Sequence, residues 1–86
     1  MRINFKQKEL IEKLVNKLKK RFPEVELIDI TESPEDSESL WINITAPEKE
    51  DREIELREFA SDKTTDILVD YGYHILVMPT RLRMSA

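Results

Sequence analysis

Hydrophobic residues in the first quarter of the chain recur at intervals of three and four, which is the period of an amphipathic helix. The stripe consists of Leu10, Ile11, Leu14, Val15, Leu18 and Phe22. Asn4 precedes the stripe and is a candidate N-terminal cap. Phe22-Pro23 ends it, because a residue that precedes proline avoids the helical region. The pattern predicts a first helix from Phe5 to Arg21.

Two segments with a shorter apolar period follow and predict a β-hairpin. Val25–Thr31 alternates imperfectly, which indicates either two covered faces or a β-bulge near Leu27. Leu40–Ala46 alternates cleanly. Its side chains divide into two sets on opposite faces: Leu40, Ile42 and Ile44 on one, and Trp41, Asn43 and Thr45 on the other. The polar, acidic segment between the two strands is expected to be a loop.

The stretch from Thr45 to Met78 predicts a long helix, a glycine stop and a short strand. Thr45-Ala46-Pro47-Glu48 matches a capping box, in which the threonine and glutamate side chains satisfy each other's backbone N–H groups. An apolar stripe then continues to Tyr71. Gly72 is the only glycine of the chain, and a glycine at this place typically ends a helix in the left-handed conformation. Tyr73–Met78 is almost wholly apolar and predicts a buried strand, closed by Pro79.

The predicted order is therefore α-β-β-α-β, which indicates an α+β fold: a two-layer sandwich in which two helices cover one face of a three-stranded sheet. The strand order stays open at this point. A third strand beside the first would give an all-antiparallel sheet, and one beside the second would give a mixed sheet. We assign residues 1–79 to a single α+β domain and residues 80–86 to a C-terminal tail that is expected to fray.

Composition bounds the class of protein. The 86 residues include no cysteine, which excludes disulfides and thiolate metal sites. No apolar run approaches the roughly 20 residues that a membrane-spanning helix needs, and the N-terminal stretch lacks the apolar core of a signal peptide. We therefore expect a cytoplasmic protein. The chain shows no phosphate-binding glycine loop and no nucleophile motif, so we expect no enzyme activity and no cofactor.

Charge is segregated along the chain. Residues 1–22 hold eight basic and two acidic residues, residues 23–40 hold seven acidic residues and no basic one, and the whole chain has a net charge of −4. Four lysines of the first helix share a face and form a candidate anion-binding stripe: Lys6, Lys13, Lys17 and Lys20. Clustered lysines can bind phosphate backbones. A solvated helix face that pairs with the acidic segments is the favoured interpretation, with nucleic-acid binding as the alternative function.

The segment Ser61-Asp62-Lys63-Thr64-Thr65 contains poor helix formers, so a break in the long helix at this point is left open. A break would change the order to α-β-β-α-α-β. That element order resembles a type II KH domain, and the resemblance implies RNA binding. The GxxG loop with which KH domains clamp the nucleic-acid backbone is missing, because the junction reads Ser61-Asp62-Lys63-Thr64. No binding residue is therefore transferred from that family.

Asp66, Asp70 and His74 recur every four residues, a spacing that suggests a metal or acid–base site. The two aspartates share a helix face, but Gly72 interrupts the helix before His74. One imidazole and two carboxylates are also few ligands for a metal. We predict no metal site and no catalytic residue here.

The third strand is apolar on both of its faces, and two helices cover only one face of a three-stranded sheet. Exposed apolar surface of this kind usually marks an interaction site. We therefore predict a non-enzymatic association module that forms a homodimer or binds a protein partner through the open sheet face or the third strand. The expected anchors are Trp41, Tyr73, Ile75 and Val77. The alternative is that the tail, with Leu82 and Met84, covers this face.

Overall fold

The computed structural model describes residues 3–36 and 38–80. The elements are α1 (Phe5–Arg21), β1 (Leu27–Glu32), β2 (Leu40–Thr45), α2 (Glu50–Tyr71) and β3 (Ile75–Thr80). The predicted order α-β-β-α-β and the α+β class are confirmed. Neither helix of the described ranges is long and apolar enough to cross a membrane.

The N-terminal end of α1 is a capping box built on Asn4. The Asn4 side chain accepts a hydrogen bond of 2.7 Å from the Gln7 backbone N–H. The Gln7 side chain in turn accepts one of 3.0 Å from the Asn4 backbone N–H. Two otherwise unpaired helix-end donors are thus satisfied, and the predicted cap and helix bounds are confirmed.

The hairpin contains the bulge that was one of the two alternatives for the first strand. β1 pairs antiparallel with β2, and the register shifts between Leu27 and Asp29. Leu27 lies opposite Ile44, whereas Asp29 lies opposite Asn43. The extra residue explains why the sequence of this strand does not alternate cleanly.

β3 pairs with β2 in parallel, so the sheet is mixed and its strand order is β1-β2-β3. The long crossover through α2 makes a parallel arrangement possible, since parallel strands need a connection of a dozen or more residues. The order leaves β2 in the centre. β1 and β3 are the two edge strands of the described sheet.

The capping box predicted at Thr45–Glu48 is wrong. Thr45 is the last residue of β2, and its hydroxyl accepts a hydrogen bond of 2.9 Å from the Glu26 backbone N–H. α2 begins only at Glu50, after Lys49, whose side chain makes no capping bond. Pairing of Thr45 with the neighbouring strands therefore outcompetes its local capping preference. Acidic residues still fill the first turn, where the helix dipole favours negative charge.

α2 is continuous through the segment where a break was left open. Thr64 lies inside the helix with its side chain buried, and its hydroxyl donates to the Ser61 carbonyl at 3.2 Å. This local bond satisfies the one polar atom that would otherwise oppose burial. The α-β-β-α-α-β order, on which the resemblance to type II KH domains depended, is therefore not formed.

Gly72 ends α2 as predicted. Its backbone is left-handed (φ 75°, ψ 14°), and its N–H donates to the Leu68 carbonyl at 2.8 Å. β3 begins two residues later than predicted and includes Pro79 and Thr80. An edge strand tolerates proline, because one side of the strand needs no N–H donor. The remainder of the predicted tail, residues 81–86, lies outside the described residues.

One cluster of buried side chains unites the helices with one face of the sheet. We call this the covered face, with the residues Leu40, Ile42, Ile44, Ile75 and Val77. The alternate residues of β2 and β3 lie on the opposite side of the sheet, which we call the second face: Trp41, Asn43, Thr45, Leu76 and Met78. Phe22, Leu18 and Ile42 are among the fully buried members of the cluster.

Candidate functional site

The second face of the sheet is apolar on the side of β3. Trp41 lies opposite Leu76, and Asn43 lies opposite Met78 in the parallel register. Leu76 is 49% exposed, whereas Trp41 and Met78 are half-buried. A tryptophan beside an exposed leucine and a methionine forms a small apolar patch, which is the kind of surface that marks an interaction site.

The second face is polar on the side of β1. The Asn43 side chain donates to the Asp29 carboxylate at 2.7 Å and to the Thr31 hydroxyl at 3.0 Å. Thr45 uses its hydroxyl to accept from the Glu26 backbone. These polar groups form their hydrogen bonds within the chain. The side near β3 is therefore the part of this face that exposes apolar side chains to water.

The Trp41 side chain carries the only buried side-chain N or O atom that lacks a hydrogen-bond partner among the described residues. Its indole Nε1 is inaccessible to solvent. A buried donor without an acceptor costs about 1–3 kcal/mol, and tryptophan N–H groups normally find a partner when buried. The unpaired indole N–H thus belongs to a residue of the apolar patch.

The structure separates the four residues predicted as interface anchors. Trp41 lies on the second face, but Ile75 is buried on the covered face and Val77 packs against the core there. Tyr73 precedes β3 and is half-buried, with its hydroxyl 3.4 Å from the Asn4 side-chain nitrogen. Which β3 residues share a face with Trp41 depends on how β2 and β3 are aligned, and these two strands are distant in sequence. The sequence alone therefore did not identify Leu76 and Met78 as neighbours of Trp41.

The lysine stripe of α1 is partly neutralised. Glu9 lies 3.4 Å from Lys13 and 3.6 Å from Lys6, and the Lys6 ammonium also lies 4.8 Å from the centre of the Tyr71 ring. The hydrogen bond from Lys13, followed by the positive charges of both lysines, lowers the pKa of the Glu9 carboxyl. Lys20 is exposed near the end of the helix. The stripe is therefore interrupted by an acid and does not form a purely positive face.

A groove between the two helices is lined both by lysines of the candidate anion-binding stripe and by the two aspartates that were considered as metal or acid–base residues. It has a volume of about 300 Å³, and its charged lining consists of Lys13, Lys17, Lys63, Asp66 and Asp70. Opposite charges occur there in nearly equal number. His74 lies elsewhere, in a separate groove beside Leu68 and Leu76. The spacing of Asp66, Asp70 and His74 thus assembles no common site, and no group of three or more metal-ligating side chains occurs among the described residues.

A polar cluster within the described part of the chain is centred on Arg52. Its guanidinium donates to the Glu24 carboxylate at 2.9 Å and to the Arg21 carbonyl at 2.8 Å, and it lies 4.4 Å from the centre of the Phe22 ring. The hydrogen bond from Arg52 lowers the pKa of Glu24, and the same bond raises the pKa of Arg52. Since every partner belongs to the chain itself, this cluster joins the end of α1 to the start of α2.

Comparisons with protein-family models, with curated proteins and with solved structures find no match to this chain.

Proposed function

We propose that this chain is a non-enzymatic, cytoplasmic association module that forms a homodimer through β3 and the adjoining part of the second face. The observation that carries the proposal is the exposed Leu76 beside Trp41, on a strand that has a free edge in the described sheet. Of the predicted anchors, the proposal keeps Trp41. It takes Leu76 and Met78 in place of Ile75 and Val77, which serve the core.

The chemistry of β3 favours a second copy of this chain as the occupant. The strand Ile75–Thr80 contains no charged residue. Two copies related by a two-fold axis can therefore pair their β3 edges antiparallel without opposing like charges, which destabilise cross-strand pairs. The corresponding pairing of β1 with itself would bring Asp29 and Glu32 of one copy against the same acids of the other. Pro79 limits the pairing to the first part of β3, because it has no N–H.

Such a dimer would also bury the apolar patch. Leu76 and Met78 lie on the second face, so antiparallel pairing of the two β3 edges places the apolar side chains of the two copies next to one another across the two-fold axis. Aromatic side chains near the centre of an interface typically supply much of its affinity, and Trp41 would be the aromatic side chain of this one.

The test is the solution mass of the chain, measured by sedimentation equilibrium over a concentration series. We expect the unmodified chain to dimerise and Leu76→Lys to weaken dimerisation at least roughly tenfold, since a buried lysine would lack a counter-charge. Val69→Lys is the matched control. It places the same charge at an apolar position of α2 that is 77% exposed.

Retention of the dimer in Leu76→Lys, or its loss in Val69→Lys, would refute the proposed surface. A monomeric unmodified chain at high concentration would refute self-association altogether. Trp41 is the only tryptophan, so its fluorescence gives a second measure of the same event. The emission of the unmodified chain should shift on dilution through the dissociation range, and that of Leu76→Lys should stay at the diluted value.

A further inference from the structure

An apolar groove follows β1, between that strand and α1. It has a volume of about 470 Å³. Its apolar lining consists of Ile3, Ile11, Val15, Leu27 and Ile30. Leu27 is 41% exposed although it lies opposite Ile44, a buried residue of the covered face. The helix layer therefore leaves part of the sheet open here.

The strand beside this groove has a free edge. β1 pairs only with β2 in the described sheet, and an edge strand presents backbone N–H and C=O groups that can pair with another chain. Leu27 and Ile30 lie on the same side of the sheet as α1, since they oppose Ile44 and Ile42. An extended segment added to β1 would therefore direct alternate side chains into the groove.

The charges around β1 indicate the chemistry of such a segment. Residues 23–40 hold seven acidic residues and no basic one, and Glu26, Asp29 and Glu32 are all exposed along or beside the strand. Lys8 and Glu12 at the rim of the groove offset each other. An acidic segment would be repelled and a basic one attracted.

We propose that the β1 edge binds an extended segment of a partner protein in which basic residues alternate with apolar ones. The backbone of the segment pairs with β1, its apolar side chains enter the groove, and its basic side chains lie on the opposite side of the sheet, near Asp29. This site lies at the edge of the sheet opposite to β3. It is therefore independent of the proposed dimer, and either can fail without the other.

The experiment uses calorimetric titration of the unmodified chain with a short synthetic peptide in which lysine and valine alternate, blocked at both ends. A peptide of the same pattern with glutamate in place of lysine should bind at least roughly tenfold more weakly. A third peptide carries N-methyl groups on the residues whose N–H would face β1. It keeps the side chains but loses the backbone donors, and its affinity should fall to a similar extent.

Variants of the chain locate the site. Leu27→Lys places a charge in the groove and should abolish binding of the lysine–valine peptide, while Ile54→Lys, at an exposed apolar position of α2, should leave it unchanged. Circular dichroism establishes that both variants are folded. Should Leu27→Lys fail to fold, the three peptides still decide the question on the unmodified chain.

Three results would overturn the proposal. These are equal affinity for the lysine and glutamate peptides, unchanged affinity after N-methylation, and no binding of the lysine–valine peptide at millimolar concentration. A change in the solution mass of Leu27→Lys without a change in its peptide affinity would instead identify the groove as an interface between copies of this chain.

Discussion

Replacement of Gly72 by alanine tests how α2 ends. Gly72 adopts φ 75° and ψ 14°, a conformation that costs an L-residue roughly 1–2 kcal/mol. A Cβ built at this position would meet nothing within 4 Å, so no steric penalty is added. Alanine also restricts the unfolded chain, which returns about 0.4–1 kcal/mol. We expect a net loss of about 1 kcal/mol in the free energy of unfolding.

The predicted loss is large enough to measure. For a chain of 86 residues, the entropy of unfolding is about 0.18 kcal/mol/K, so a loss of 1 kcal/mol lowers Tm by about 5–6 °C. Urea denaturation followed by circular dichroism should show a lower midpoint with an unchanged slope, because the surface exposed on unfolding is the same. Gly72→Asn is the matched comparison, and it should lose less than half as much, since asparagine tolerates the left-handed region.

Two outcomes would contradict this reasoning. If Gly72→Ala were as stable as the unmodified chain, the left-handed conformation would not be required at this position. A loss above about 3 kcal/mol would exceed the cost of the backbone conformation alone and would indicate contacts that the structure excludes.

Three further predictions concern the core and the helix ends. Leu18→Ala should lose about 2–5 kcal/mol in urea denaturation, because this side chain is fully buried and its removal leaves a cavity; a loss below 1 kcal/mol would show that the site collapses or is exposed. Asn4→Ala should lose about 0.5–2 kcal/mol and fray the first turn of α1 in hydrogen exchange, whereas unchanged protection there would show that the capping box is dispensable. The lowered pKa of Glu24, which results mainly from its hydrogen bond with Arg52, stabilises the fold above the ordinary glutamate pKa of about 4.3, and this contribution is lost as pH falls through the lower folded-state pKa. Arg52→Gln should therefore flatten the acid side of the stability–pH curve, and an unchanged acid limb would refute that assignment.

Local patterns were sufficient to predict the elements. The stripe of α1, its cap at Asn4 and its end at Phe22-Pro23 depend on neighbouring residues alone, and so does the left-handed stop at Gly72. The alternation of β2 likewise placed Leu40, Ile42 and Ile44 together on one face, and the structure buries all three. In each case the physical preference acts within one or two turns or along one strand, so the sequence contains it directly.

Local patterns failed where a distant segment competed for the same residue. Thr45 has the residue type of a helix cap, but it is the last residue of β2 and its hydroxyl accepts a hydrogen bond from the Glu26 backbone N–H instead. The segment around Ser61 has poor helix formers, yet packing of Thr64 and its neighbours into the core keeps α2 continuous. Tertiary contacts outweigh local propensities because those propensities amount to less than about 1 kcal/mol per residue.

The tertiary structure also decided which residues make up the candidate interaction surface. The sequence showed that β3 is apolar on both faces and that Trp41 lies opposite the core face of β2. Only the parallel pairing of β2 with β3 placed Leu76 beside Trp41 and buried Ile75. Because a shift of one residue exchanges the two faces of a strand, register decides which apolar residues reach the surface. Register is set by contacts between strands that lie more than thirty residues apart.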